Sequence, residues 1–264
     1  MSEQKPLILV TNDDGVTAKG ILSLVQAVSA FGDVLVVAPD KPQSGMGHAV
    51  TIGQIVRLNE VRFPLDGIRA YSTTGTPVDC VKLAIYRILD GRKPDLLVSG
   101  INHGANSSIN VIYSGTMSAA VEGAVEGIPS IGFSLLDHSA DADFEASGRV
   151  VGELVRSALQ NGIPKGTCLN VNIPVGRPES IKGIKICRQA RGFWEDAFER
   201  REDPSGKEYF WLTGAFSNHD RGEDTDEWAL EHGYVSVVPV HYDMTAHHAI
   251  AVLNSWDIND KIAE

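Results

Sequence analysis

The sequence predicts an α/β fold: a Rossmann-like, doubly wound, mainly parallel sheet with a C-terminal extension or small antiparallel subdomain. Three observations lead there. Short, wholly apolar runs of strand length recur, helical periodicities separate them, and loops rich in Gly, Asp and Asn follow them. The first run, residues 7–10, reads Leu-Ile-Leu-Val without alternation, as a strand buried on both faces does. Thr11-Asn12-Asp13-Asp14-Gly15 follows, then a helix from about 19 to 30 with Ile21, Leu22, Val25 and Val28 on one face. Residues 34–38 form a second apolar strand, ended by Pro39. Two such strands joined by a helix make a βαβ unit and require a parallel pair.

Residues 49–52 and 54–58 read as short antiparallel strands around a Gly53 turn, with the segment ending near Tyr71. A helix resumes after Pro77, its apolar face made by Val81, Ala84, Ile85, Ile88 and Leu89. Strand 96–98 follows, then a helix carrying Met117, Ala120, Val121, Ala124 and Val125, which Gly127 and Pro129 end. Strand 130–134, a helix through Val150 to Ala158, and strand 168–173, stopped by Pro174, complete the alternation. The core is therefore expected over about 1–180 of a single domain spanning 1–264. Beyond it, Ile181, Ile184 and Ile186 suggest one more strand. The aromatic residues Phe193, Trp194, Tyr209, Phe210 and Trp211 fall outside the regular pattern. That region, 181–240, is expected either to fold as a subdomain or to embrace a second subunit, because exposed aromatic surface needs a cover.

Composition excludes several classes. Apolar residues make up 43% of 264 positions, enough for a large core. The polar start and the four-residue apolar run at 7–10 do not make an export signal, and no run reaches membrane-spanning length. A cytoplasmic protein with no membrane partner is expected. A net charge of −11 disfavours nucleic acid duplexes as partners but not a small phosphorylated ligand. Cys80, Cys168 and Cys187 are widely spaced and unpaired by motif, so buried thiols are expected.

Ligands of open parallel sheets bind beyond the carboxyl ends of the strands. Three polar clusters fall there: Asp13 and Asp14 after the first strand, Ser44 after the second, and Asn102 after strand 96–98. Two carboxylates, a hydroxyl and an amide carbonyl form a hard oxygen set suited to Mg2+ or Mn2+. Taken alone, Asn-Asp-Asp-Gly reads as a polar turn with an Asx side-chain bond; the coincidence of three such loops at one sheet edge reverses that preference in favour of the metal site. Gly75-Thr76-Pro77 and Ser114-Gly115-Thr116 each precede a helix and suit either capping or phosphate binding. Neither is a P-loop, and no G-x-G-x-x-G follows the first strand. His48 and His103 lie in the same loops, where they serve either packing or proton transfer.

Taken together, these segments resemble the SurE family of survival-protein nucleotidases. Val10-Thr11-Asn12-Asp13-Asp14-Gly15 with Gly20-Ile21 is similar to the opening family motif, and Ala38-Pro39, Ser44-Gly45 and Thr51 to the second. Gly75-Thr76-Pro77-Val78-Asp79-Cys80 resembles the third, with valine where alanine is common. Val98-Ser99-Gly100-Ile101-Asn102, Gly104, Asn106 and Ser114-Gly115-Thr116 resemble the fourth. Asp203-Pro204, Tyr209, Trp211, Thr225-Asp226 and Gly233-Tyr234-Val235-Ser236 extend the likeness through nearly the whole chain.

The resemblance implies hydrolysis of nucleoside 5′- and 3′-monophosphates with one Mg2+ or Mn2+ per subunit, held by Asp13, Asp14, Ser44 and Asn102. It also implies a homodimer or homotetramer. Asp13 is then the candidate to activate water. Asn106 is a candidate catalytic group on the phosphoryl group, joined by Gly45, Ser114, Gly115 and Thr116 as phosphate-binding residues. Two rivals stand beside this reading. One is an aspartyl-phosphate phosphatase of the haloacid dehalogenase type, whose D-x-D-x-T spacing the adjacent Asp13 and Asp14 do not reproduce. The other is a regulatory module that binds metal and nucleotide without turnover.

Overall fold

The computed structural model describes residues 5–256 and 258; the polar start at 1–4 lies outside them. Strands β1 (Leu7–Thr11), β2 (Asp33–Pro39), β3 (Leu58–Arg62), β4 (Arg69–Thr73), β5 (Leu96–His103), β6 (Ser130–Leu135), β7 (Thr167–Ile173), β8 (Ile184–Ile186) and β11 (Val235–His241) form one sheet. Its order is β3-β4-β2-β1-β5-β6-β7-β11-β8. Pairing is parallel from β4 through β7; β3 on β4 and β11 on β7 are antiparallel. The mainly parallel sheet expected from the alternation is therefore present.

The pleat divides the core. Ile8, Val10, Val34, Val36, Leu96 and Val98 pack on one face with helices α1 (Lys19–Val28) and α4 (Glu145–Asn161). Their neighbours Leu9, Leu35, Val37 and Leu97 point the other way, toward α2 (Pro77–Leu83) and α3 (Gly115–Val125). Burial on both faces explains the unbroken apolar runs. Gly20 brings α1 close to β5: a Cβ there would lie 2.0 Å from the Ile101 carbonyl oxygen.

One expectation needs correction. Residues 49–57 form no strands; Ile52 and Ile55 are 86% and 82% exposed. The antiparallel pair lies later, as β3 and β4. There Val61 and Ala70 reach the core, whereas the apolar residues at 52 and 55 find no sheet to join. Segment 47–57 is held instead by scattered backbone and side-chain hydrogen bonds, including Thr51 Oγ1 donating to Asp79 at 2.5 Å.

Beyond residue 181 the chain does two things. Strands β8 and β11 complete the main sheet, together with α5 (Asp226–Glu231). Strands β9 (Phe193–Glu202) and β10 (Glu208–Ser217) leave it as an antiparallel hairpin of ten residue pairs. Helix α6 (His247–Asn254) follows β11 and buries none of its residues. All three cysteines are free and buried, as expected. No helix among the described residues is long and apolar enough to cross a membrane.

Candidate active site

From β1 the chain runs outward to β2 and β4 on one side, then returns to lay β5, β6 and β7 on the other. The strand order therefore reverses between β1 and β5, which makes their carboxyl ends the crevice of the sheet. Asp13 and Asp14 stand just past β1, and Asn102 sits on the bulged end of β5.

An Asx turn does form here, and it is made by the neighbouring residue. The Asn12 amide donates to the Gly15 carbonyl at 2.9 Å and its Oδ1 accepts from the Gly15 N–H at 3.2 Å. Gly15 takes the positive φ of +102° that this tight turn demands. Neither aspartate side chain is used in closing the turn.

Asp13 is only 4% exposed. Its Oδ1 accepts a short hydrogen bond from the Thr116 hydroxyl. Its backbone carbonyl accepts from the Gln43 N–H at 2.8 Å, tying the loop after β2 to the loop after β1. Gly115 closes the other side: a Cβ there would stand 2.7 Å from Asp13 Cβ and 2.9 Å from its Oδ2. Burial pushes the Asp13 carboxyl up to about 6, with the Asp14 charge adding to the rise and Thr116 opposing it. Asp14 is also raised by burial, with His103 acting against the shift. Its Oδ2 is buried and has no hydrogen-bond partner.

The Asn102 amide nitrogen is committed to backbone carbonyls, to Gly104 at 2.8 Å and His103 at 3.3 Å. Its own carbonyl oxygen takes no part in these bonds and keeps its acceptor capacity. Ser44 lies exposed in the loop after β2, with Gly45 at φ +72° beside it. Among the described residues no three His, Cys, Asp or Glu side chains cluster. The available donors are two carboxylates supplemented by neutral oxygens, which suits a hard cation that keeps part of its water shell.

The structure gives the residues before and within α3 separate uses. Ser114 caps the helix by accepting from the Met117 N–H at 3.0 Å, and as a hydroxyl it retains a proton to donate. Thr116 turns its hydroxyl to Asp13, so what it offers is orientation of that carboxylate. Asn106 stands in a buried polar ladder that the sequence reading missed. Its N–H donates to Asn172 Oδ1 at 2.8 Å, its carbonyl accepts from Asn170 at 2.8 Å, and its amide donates to Ser134 at 2.8 Å. The signal for it is Asn170-x-Asn172 inside an otherwise apolar strand, which places two amides on one face of β7.

A cleft of about 540 Å3 begins at Gly45 and is walled by Tyr113, Trp194, Asp196 and Leu212–Gly214. It joins the loop after β2 to the root of the β9–β10 hairpin. Trp194 is fixed there by its indole N–H, which donates to Asn110 at 2.8 Å, and by an edge contact with Phe216.

Fold and site define the class: a doubly wound α/β protein with an oxygen-donor crevice at the switch point of its sheet. The family model for survival protein SurE matches residues 8–196. The 5′-nucleotidase SurE of Flavobacterium psychrophilum is 60% identical over 255 residues, covering 97% of this chain and 99% of that one. The 5′-nucleotidase SurE of Chlorobaculum tepidum is 42% identical over 259 residues, covering 98% and 97%. The crystal structure of the SurE protein from Aquifex aeolicus superposes with a TM-score of 0.82 at 40% identity, over 95% of this chain and 99% of that one. The chain belongs to the SurE family.

Proposed function

We propose that the chain is a divalent-metal-dependent phosphomonoesterase that hydrolyses nucleoside 5′- and 3′-monophosphates to nucleoside and phosphate. The observation that carries this reading is a buried Asp13 next to an Asp14 oxygen that is buried and unpartnered, at the sheet's switch point. Paired carboxylates in that condition call for a cation. The relatives named 5′-nucleotidase support the substrate class.

Asp13, Asp14, Ser44 and Asn102 would hold one Mg2+ or Mn2+. When bound, the ion supplies the positive charge that offsets both carboxylates and the phosphate oxygens. Thr116 pins one oxygen of Asp13, which leaves the second to orient the attacking water and draw on its proton. The water oxygen bonds to phosphorus as Asp13 takes one of its protons, and the ester P–O bond breaks with its electron pair going to the nucleoside oxygen. That oxygen leaves as a hydroxyl after taking up a proton from solvent, to which Asp13 returns its own. The Ser114 hydroxyl, the Gly45 and Gly115 backbone N–H groups and the Asn106 amide bind the phosphoryl oxygens. The cleft between Tyr113 and Trp194 receives the nucleoside, whose base has a π-face for those rings.

We further infer that the chain works as a homodimer or homotetramer, with contacts in 181–240. Its support is the hairpin, where Phe198, Phe210, Trp211 and Leu212 are each more than half exposed. A phosphate-release panel over 5′-mononucleotides, 3′-mononucleotides and short polyphosphate tests the activity. Release from both mononucleotide classes is expected. No release with either cation overturns the reading in favour of a binding module, and a trapped phosphoryl-aspartate favours covalent catalysis.

A further inference from the structure

Segment 40–57 carries Ser44 and Gly45, has no regular structure, and is long enough to move. What holds it in place is therefore a functional question. Its first half is tied to the core by backbone contacts: Asp40 N–H to the Thr73 carbonyl at 2.8 Å and Gln43 N–H to the Asp13 carbonyl at 2.8 Å. After Ser44 side chains join the backbone in holding it. Gly47 N–H donates to the Tyr113 carbonyl at 3.1 Å, the Ala49 carbonyl accepts from the Thr76 hydroxyl at 2.7 Å, and Thr51 donates twice to Asp79.

Two attachments join the loop to a buried carboxylate: Thr51 meets Asp79 of α2, and His48 meets Glu122 of α3. Glu122 projects from α3, the helix whose first turn borders Asp13, and its side chain is only 4% exposed. Lys82 of α2 occupies one carboxylate oxygen at 2.5 Å, and His48 of the loop occupies the other at 2.9 Å. Burial pushes this carboxyl up, yet the His48 and Lys82 contacts outweigh it and hold it below the usual carboxylate range. If the loop lifted away, His48 would leave and strip a buried carboxylate oxygen of its partner, a condition proteins avoid. The same carboxylate therefore couples α2, α3 and the loop.

We propose that Glu122 is a positioning residue: through His48 it holds the loop in the conformation that presents Ser44 and Gly45 to Asp13. The inference rests on the reading of Ser44 and Gly45 as site residues given above. Glu122 touches no reacting atom in this account; it acts four residues away from Ser44, through the imidazole.

The test uses the full-length protein with His48→Ala, Glu122→Gln and Lys82→Met, read by amide hydrogen exchange and by Mn2+ affinity of the metal-free protein. His48 is 40% exposed in its side chain, so His48→Ala does not depend on the core tolerating a change. Exchange across 43–52 is expected to quicken about tenfold in His48→Ala and Glu122→Gln, with β1 and α3 unchanged. Mn2+ affinity is expected to fall about tenfold in both. Ser44→Ala should add nothing further in the His48→Ala background, because both changes remove the same contact. His48→Gln, which keeps a donor at similar reach, should restore most of the loss. Unchanged exchange in His48→Ala, or a Lys82→Met effect equal to that of Glu122→Gln while His48→Ala has none, overturns the proposal. Full Mn2+ affinity in Ser44→Ala would instead overturn the ligand assignment, and the exchange data separate the two failures.

Discussion

Replacing Asp13 with Asn should lower activity and raise the stability of the metal-free protein. Burial holds the Asp13 carboxyl at about 6 against an ordinary 3.8. A carboxyl raised in the folded state stabilises the fold while it is protonated. That contribution is complete below the unfolded value and is lost as pH rises through the folded one. A rise of about two units corresponds to roughly 3 kcal/mol. Metal-free wild type should therefore lose about 3 kcal/mol from this group between pH 4 and pH 7, and Asp13→Asn should not. Asn keeps an Oδ1 that accepts from Thr116 and fills the same space beside Gly115, so packing is nearly unchanged. At pH 7.5 the metal-free variant should melt roughly 6–12 °C above wild type, and at pH 4 the two should coincide. Phosphate release with Mg2+ or Mn2+ should fall by about 100-fold or more, since ligand charge and proton acceptor go together. The assays are chelated thermal melts across pH 4–8 and phosphate release at saturating metal. A metal-free stability independent of pH, or an Asn variant no more stable than wild type at pH 7.5, refutes the buried-charge argument.

Three further outcomes follow from the same geometry. Ser44→Ala should leave the fold intact and weaken Mn2+ binding about tenfold, the size of one neutral oxygen contact, as calorimetric titration would show; wild-type affinity and activity would remove Ser44 from the site. Gly115→Ala sets a Cβ 2.7 Å from Asp13 Cβ and 2.9 Å from its Oδ2, so kcat should drop at least about tenfold and the melting temperature should fall with it. Unaltered kcat would show that the Asp13 carboxylate has room to shift. Light scattering through the micromolar range should give a dimer or tetramer, and an Arg substitution at exposed Trp211 should shift it toward smaller species; a monomer throughout would sink the oligomer inference.

Much of this arrangement was legible in the residues, for a physical reason. Strands buried on both faces run apolar, so β1, β2 and the opening of β5 announce themselves, and the loops at their carboxyl ends then identify the crevice. Asp13, Asp14 and Asn102 were readable as a set because topology places strand ends together. The expected strands at 49–58 failed because Ile52 and Ile55 imitate half-buried alternation without any partner to bury them. Partners distant in sequence were the least visible. Thr116 orients Asp13 from 103 positions away, and Glu122 reaches His48 across 74. Neither link has a local pattern, and Thr116 read equally well as a helix cap or a phosphate ligand. The Asn170-x-Asn172 pair was the one long-range device with a local signature: two amides in a core strand must find partners, and Asn106 is what they hold.

The most direct measurement of the central claim is phosphate release from a nucleoside 5′-monophosphate by protein stripped of metal, with Mg2+ or Mn2+ then returned. Release should fall to the uncatalysed background on stripping and return in full with one equivalent of bound ion per chain. Asp14→Asn should show no recovery, because it removes the charge from the carboxylate whose Oδ2 is buried and unpartnered. Undiminished release after rigorous stripping, or full turnover by Asp14→Asn, would contradict the central claim.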